Sequence, residues 1–282
     1  MAETKYAKAP VRIDFAGGTT DISLFTDITS GAVLNAAINK YVTGSLKVND
    51  KLKLEYESEV PTKSGLGTSG AMNVVWLSLV TGIKNKIELA EKVYDIEQAI
   101  GIVGGKQDQY AAALGGINFL KFQGNKVIVK KINLGNKLVK KLENNLFLAY
   151  IKKDKIASQM NYAMIKNIQN KDKATIKILK NIKRIAFDME SALIKGNLDK
   201  FAELMNEEWK TRKKLHPLVT NKKIEELIKI AFENGAKGVK ICGSGGGGCL
   251  LFYSEDKKKL QEKLKNKAKI INFKFDFQGL RT

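Results

Sequence analysis

The sequence predicts an α+β protein of two domains, and three observations carry that prediction. Strand-like alternation and turn signals fill much of the first half, long amphipathic lysine-rich segments follow Tyr150, and the change falls at Asn144-Asn145, just before the strand-like Leu146–Ile151. The expected domains are residues 1–145 and 146–282, each of ordinary size within a chain of 282 residues.

The first informative segment is Ala9-Pro10-Val11-Arg12-Ile13-Asp14-Phe15-Ala16-Gly17-Gly18-Thr19-Thr20-Asp21. Val11, Ile13 and Phe15 alternate with Arg12, Asp14 and Ala16, which predicts a half-buried strand with Arg12 and Asp14 on one face. The turn that follows has two readings. Its glycines can let backbone approach a small ligand while Asp21 accepts from hydroxyl groups, or it is a hairpin turn with Asp21 capping a helix. Ala32–Leu34, Tyr41–Val48 and Leu52–Tyr56 then read as strands, the last two an antiparallel pair joined at Asn49-Asp50.

Next comes Pro61-Thr62-Lys63-Ser64-Gly65-Leu66-Gly67-Thr68-Ser69-Gly70, set between a strand and the apolar run Ala71–Leu77. It reads as a glycine-rich loop feeding a helix N-terminus. Gly65, Gly67 and Gly70 permit close backbone approach, Thr68 and Ser69 supply hydroxyls, and the helix start offers free N–H groups. Such a loop can hold phosphate, or it can be an ordinary glycine turn with a capped helix. The P-loop pattern Gly-x-x-x-x-Gly-Lys-Ser/Thr does not occur in it.

A helix is predicted from Ile87 to Ile100, with Leu89, Val93, Ile96 and Ile100 on its apolar stripe. Glu97 lies at the edge of that stripe, where an exposed salt-bridging residue is the ordinary reading. Gly104-Gly105 enters an alanine-rich helix with Asp108 near its start, placed either to favour the helix dipole or to act as a catalytic carboxylate. Gly115–Leu120 and Lys126–Val129 read as strands about the turn Gln123-Gly124-Asn125.

In the second half, Ala157–Asn197 and Leu198–Leu215 read as amphipathic helical segments, and the only histidine, His216, precedes Pro217 as a helix stop. A helix from Lys222 to Asn234 ends at Gly235. The run Gly243-Ser244-Gly245-Gly246-Gly247-Gly248 lies between Gly238–Ile241 and Cys249–Tyr253. Strand-like residues on both sides make it a hairpin loop rather than a flexible linker. Ile271, Phe273, Phe275 and Phe277 alternate with polar residues and are expected to close the second domain's sheet.

The composition, 44% hydrophobic and 28% charged, is that of a soluble globular protein. The N-terminus lacks an apolar core and the most apolar window, Ala71–Ile83, is too short to span a bilayer, so a cytoplasmic protein without membrane partners is expected. The formal charge of +20 comes mainly from scattered lysines, which read as solvated helix faces. No zinc-finger, RRM or basic-zipper pattern is present, and nucleic acid is not an expected partner. Cys242 and Cys249 have no histidine near them and read as small buried residues.

Taken together, Ala9-Pro10-Val11-Arg12, Gly65-Leu66-Gly67-Thr68-Ser69-Gly70 and Gly243-Ser244-Gly245-Gly246-Gly247-Gly248 resemble, in this order, the three motifs of the GHMP kinases. Within that family the chain is similar to the D-glycero-D-manno-heptose 7-phosphate kinases in Phe15–Asp21, Gly105–Tyr110, Glu207-Glu208-Trp209-Lys210 and Phe275–Gly279. The resemblance implies a ribosomal protein S5 domain 2-like N-terminal domain and a ferredoxin-like C-terminal domain. It implies ATP and Mg²⁺ as cofactors, with Ser64, Gly65, Leu66, Gly67, Thr68, Ser69 and Gly70 about the phosphates and Ser69 and Glu97 on the metal. Asp108 would accept the proton of the attacking hydroxyl, and Arg12 would offset charge on the transferring group or lower the hydroxyl pKa. Gly18, Thr20, Asp21, Asp108, Gly245 and Gly246 would hold the acceptor, with Lys210 and Arg212 at a distal phosphate.

The function so implied is ATP-dependent phosphorylation of a sugar or sugar-phosphate hydroxyl, the anomeric one of a heptose 7-phosphate-like substrate, by a monomer or homodimer. Other acceptors (fucose, galactose, a uronic acid, mevalonate) would use the same catalytic parts. A non-catalytic ligand- or nucleic-acid-binding relative is the alternative of another class.

Overall fold

The computed structural model describes residues 3–49, 52–152 and 157–282. The chain begins with β1 (Glu3–Ala16), a one-turn helix α1 (Ser23–Thr26), the long strand β2 (Gly31–Val48) and β3 (Leu52–Ser58). Helices α2 (Thr68–Thr81), α3 (Lys86–Ala99) and α4 (Gln107–Leu114) follow, then β4 (Ile117–Gln123), β5 (Lys126–Lys131) and α5 (Asn136–Asn145). The second half contains β6 (Leu146–Ile151), α6 (Ala157–Gln169), α7 (Lys173–Ile194), α8 (Leu198–Arg212) and α9 (Lys222–Glu233). It ends with β7 (Gly238–Ile241), β8 (Gly248–Tyr253), α10 (Lys257–Leu264) and β9 (Lys269–Ile271).

Two antiparallel sheets organise these elements, in keeping with the α+β prediction. In the first, β2 pairs along its length with β1, while β3 and β4 share its other edge and β5 extends β4. The second has the order β7-β8-β6-β9. The expected strands from Ala32 to Leu34 and from Tyr41 to Val48 are one strand. The turn expected at Asn49-Asp50 falls partly outside the described residues.

Four local expectations need correction. The Ala157–Asn197 segment is two helices, because Lys171 takes a left-handed φ of +52° and the Asp172 carboxylate caps α7 by accepting from the Thr175 N–H. Helices α5 and α10 were not expected from the pattern. In α10 only Leu260 and Leu264, one turn apart, are buried in a lysine-rich stretch, a stripe too narrow to register as a period.

The fourth correction concerns the C-terminal strand. Only Lys269–Ile271 joins the second sheet, through β6. The chain then crosses to the first sheet: Phe275 bridges to Ile38, Arg281 bridges to Lys8, and the Gly116 N–H donates to the Asp276 carbonyl at 2.6 Å. Phe275 is buried with its ring edge-on to Phe15 and Phe277. Alternating aromatics specify an extended segment but not which sheet it covers.

The strands before and after Leu146 fall in separate sheets, but the core does not follow that division. One hydrophobic cluster joins Ile13, Phe15 and Val33 of the first sheet to Met189 of α7, Phe201 of α8 and Leu251 of β8. A second cluster, centred on Phe147, Trp209, Ile241 and Phe252, lies in the C-terminal half and takes in Phe25 of α1. The continuous core fixes the two halves against each other, and the glycine loops meet at that junction.

Candidate active site

The site is built from backbone first. Gly65 (φ +79°) and Gly67 (φ +72°) occupy the left-handed region, which favours glycine. A Cβ on Gly65 would lie 2.3 Å from the Cys242 carbonyl oxygen, so the first loop can seat against the second only without a side chain there. The Ser64 carbonyl accepts from the Cys249 N–H at 2.8 Å, which joins the same two loops. Gly67 precedes α2, and no side chain caps that helix. Its first-turn N–H groups and dipole are therefore suited to an anion.

Arg12 comes up from β1 beneath this loop. Its backbone N–H donates to the Leu66 carbonyl and its Nη1 to the Gly65 carbonyl. Nε and Nη2 both reach Asp108 Oδ1, at 2.8 and 2.7 Å. Asp108 is the second residue of α4. Its side chain is 28% exposed against 6% for Arg12, so the carboxylate is the accessible member of the pair. Gly70 allows this approach, since a Cβ there would stand 2.6 Å from that of Asp108.

Asp21 is held by two backbone donors, Thr19 N–H on Oδ1 at 3.1 Å and Gln107 N–H on Oδ2 at 3.0 Å. It does not cap a helix: Ile22 occupies the position before α1. Burial raises its pKa to about 6, with the Asp108 charge adding to the rise and the Gln107 hydrogen bond opposing it.

A cavity of about 230 Å³ brings together Arg12, Gly18, Asp21, Asp108 and Arg212 among the residues expected from sequence. It does not include four others. Thr20 is buried beneath the turn, its hydroxyl donating to the Gly17 and Ala32 carbonyls, while Thr19, at φ +82°, takes the place on the cavity wall. Gly246 spends its N–H on the Val219 carbonyl and Gly245 packs against the same residue, so Gly243 and Ser244 form the wall instead. Lys210 lies on the exposed side of α8, away from the cavity.

Asp14, Gln107 and, from α6, Met164 and Ile165 also line the cavity, and sequence reasoning missed them as site residues. The alternation that set Asp14 on the Arg12 face was the available signal. Nothing in α6 marks it in advance. Arg212 is bound on several sides: Nε and Nη2 donate to Glu208 Oε1 at 2.8 and 2.5 Å, and Nη2 also donates to the Gly18 carbonyl at 2.8 Å.

Glu97 is buried beside a second, largely apolar cavity of about 360 Å³, lined by Leu54, Tyr56, Trp76 and Val93 among others. Asn73 donates to its Oε1 at 2.6 Å and Gln109 to its Oε2 at 2.5 Å. Burial raises the Glu97 pKa, and these two amides work against the rise. Each carboxylate oxygen keeps a further lone pair. Ser69 lies one helical turn before Asn73 on α2, which puts its hydroxyl on the face that holds Glu97. Two hard oxygen donors of this kind fit Mg²⁺. Among the described residues, no cluster of three or more acidic, histidine or cysteine side chains forms a metal cage, so further oxygens would have to come from phosphate or water.

His216 behaves as a stop: its Nδ1 accepts from the Leu218 N–H just ahead of a short 3₁₀ turn. Cys242 and Cys249 are buried free thiols, and burial pushes both thiol pKa values up.

Two family models match this chain, the GHMP kinases N-terminal domain over residues 31–116 and the GHMP kinases C-terminal model over residues 189–270. Mevalonate kinase of Methanocaldococcus jannaschii is 30% identical, over 78% of this chain and 68% of that protein. This chain belongs to the GHMP kinase family. As a GHMP kinase it is a phosphotransferase with an alcohol acceptor and ATP as donor, and its relatives place it among the sugar kinases. D-glycero-alpha-D-manno-heptose 7-phosphate kinase of Campylobacter jejuni is 29% identical over 99% of both chains. The crystal structure of a D-glycero-D-manno-heptose 1-phosphate kinase from Bacteroides thetaiotaomicron superposes with a TM-score of 0.77 at 25% identity, covering 100% of this chain and 98% of that one. Galactokinase of Lactococcus lactis shares the fold, with a TM-score of 0.76 at 17% identity over 99% of this chain and 95% of that one. No helix among the described residues is long and apolar enough to cross a membrane.

Proposed function

We propose that this GHMP kinase phosphorylates the anomeric hydroxyl of a heptose 7-phosphate-like sugar. The observation that carries the reading is the accessible Asp108 carboxylate, paired with buried Arg12, in a cavity whose wall combines glycine backbone and hydrogen-bonding side chains with the apolar Ile22, Val103, Met164 and Ile165. Such a lining suits a polyol and offers no covalent nucleophile, which phosphoryl transfer does not need. The C. jejuni relative, matched along its whole length, supports a heptose phosphate as acceptor.

Arg12 occupies Oδ1 of Asp108, so Oδ2 receives the proton of the acceptor hydroxyl. That hydroxyl oxygen forms a bond to the γ-phosphorus as the bond to the bridging β–γ oxygen breaks, and the electron pair leaves on ADP. Ser64 through Gly70 cradle the phosphates with backbone N–H groups, and the apolar cavity beside Glu97 takes the base. Ser69 and Glu97 hold Mg²⁺, whose chemistry when bound is to neutralise phosphate charge. Asp21 accepts a sugar hydroxyl. The residual donor capacity of Arg212 faces the distal phosphate, a role that the exposed Lys210 is not placed to share.

ADP release with Mg-ATP against heptose 7-phosphate, fucose, galactose, glucuronate and mevalonate tests the reading. Turnover specific to heptose 7-phosphate supports it. Turnover with another member alone replaces the acceptor and keeps the catalytic assignment.

A further inference from the structure

At the cavity floor lies a chain of four buried charges, of which the catalytic account uses only Arg212. Lys240, on β7, is 0% exposed, and its Nζ contacts Asp14 Oδ1 and donates to the Asp14 carbonyl at 2.8 Å. The same Nζ is 3.8 Å from Glu208 Oε2, and Glu208 in turn holds Arg212. Two positive and two negative side chains from β1, β7 and α8 alternate, so the network is neutral although it is buried. Burying four charges is costly and packs no better than apolar side chains would. A chain kept at that cost calls for a function.

One atom of it is left unsatisfied at the cavity. Asp14 is 1% exposed, lines the cavity, and its Oδ2 has no hydrogen-bond partner among the described residues. It lies directly under Gly18, where an added Cβ would meet it at 2.4 Å. Any side chain at this position would close over the oxygen. Lys240 engages the other oxygen and fixes the carboxylate's rotation, while Arg212 pins the Gly18 carbonyl and so the turn that roofs Asp14. A buried, unpaired carboxylate oxygen is expensive unless a ligand satisfies it.

We propose that Asp14 is an acceptor-binding residue, taking a hydrogen bond from a non-reacting hydroxyl of the sugar on Oδ2, with Lys240 as its positioning residue. The inference rests on the sugar-kinase reading above and adds a second specificity carboxylate to Asp21. An acceptor lacking that hydroxyl leaves a buried carboxylate oxygen unsatisfied and is discriminated against.

The test is Asp14→Asn, assayed with D-glycero-D-manno-heptose 7-phosphate and with its mono-deoxy analogues, one for each ring hydroxyl. Asparagine can keep its oxygen on Lys240 but then presents an amide donor where the sugar also donates. The acceptor KM should rise by about tenfold or more, as expected for a lost hydrogen bond to a charged group, with the ATP KM unchanged. Against one deoxy analogue alone the variant should lose nothing further relative to wild type. An unchanged acceptor KM, or the same penalty against every analogue, overturns the assignment and leaves Asp14 a structural residue.

Should the variant not fold, the wild-type protein decides with deoxy-fluoro analogues. Fluorine accepts but does not donate, so two non-reacting positions should reject it if Asp14 and Asp21 both bind hydroxyls. Rejection confined to the one position that Asp21→Asn relieves overturns the Asp14 role. A wild-type protein that turns over none of the sugars overturns the acceptor reading itself, and this control separates that failure from failure of Asp14.

Discussion

Arg12 and Asp108 meet through a single oxygen: Nε and Nη2 lie 2.8 and 2.7 Å from Asp108 Oδ1, tying β1 to the first turn of α4. The other carboxylate oxygen is left for a hydroxyl. Asp108→Asn keeps an acceptor for Arg12 and removes the base, so kcat should fall by about 10²- to 10⁴-fold while ATP still binds. Turnover at the wild-type rate, measured by ADP release, would remove Asp108 from the proton transfer.

Gly70 and Asp108 provide a test of position rather than of chemistry. Gly70→Ala should favour α2 by up to about 1 kcal/mol in helix propensity. Its Cβ, however, would stand 2.6 Å from that of Asp108. Displacing a base by a fraction of an ångström is expected to lower kcat by about tenfold or more, beyond the modest loss of Tm that the overpacked contact itself causes. A variant that keeps full activity would show that Asp108 tolerates movement.

Asp21 sets the acidic limb of the pH profile. With its pKa raised to about 6 by burial, it is ionised above that pH and loses hydrogen-bond acceptor capacity below it. The acceptor kcat/KM should fall as pH drops through about 6, and Asp21→Asn should lack that step. Comparison of the two profiles separates it from titration of the substrate phosphate in the same range. For folding the sign is reversed: the contribution of Asp21 is full below its ordinary value of 3.8 and is lost as pH rises through about 6.

Glu97 is tested through magnesium. Glu97→Gln presents an amide to the Asn73 and Gln109 donors and withdraws the negative charge. The Mg²⁺ concentration for half-maximal rate should rise by about tenfold or more, in line with losses measured at other metal sites. An unmoved Mg²⁺ titration would place the ion elsewhere.

Phe275 anchors the C-terminal segment on the first sheet. It is 6% exposed and packs on Phe15, Phe273 and Phe277. Phe275→Ala should destabilise by about 3–5 kcal/mol in chemical denaturation. A loss far below that would mean the segment adds little to the fold.

Much of this architecture was legible in the sequence because it rests on local rules. Alternation placed Arg12 and Asp14 on one face, glycine spacing marked both loops, and a helix start located Asp108. What remained hidden depends on the backbone of neighbouring turns or on distant partners. Thr19 and Thr20 are adjacent and chemically alike, and only the positive φ of Thr19 decides which lines the cavity. The run of C-terminal glycines does not reveal that Val219 takes the Gly246 N–H, leaving Gly243 and Ser244 at the wall. Lys210 and Arg212 sit two residues apart on a helix and so on different faces, a distinction that helical geometry contains once α8 is in register. Lys240, in a four-residue strand, becomes notable only when Asp14, 226 residues away in sequence, is beside it.

The most direct test of the central claim is phosphorus NMR of the product formed from heptose 7-phosphate and Mg-ATP. A sugar bisphosphate with its new resonance coupled to the anomeric proton, absent with Asp108→Asn, is the result this account predicts. A new phosphate on any other carbon, or ADP formation with the sugar unchanged, would contradict it.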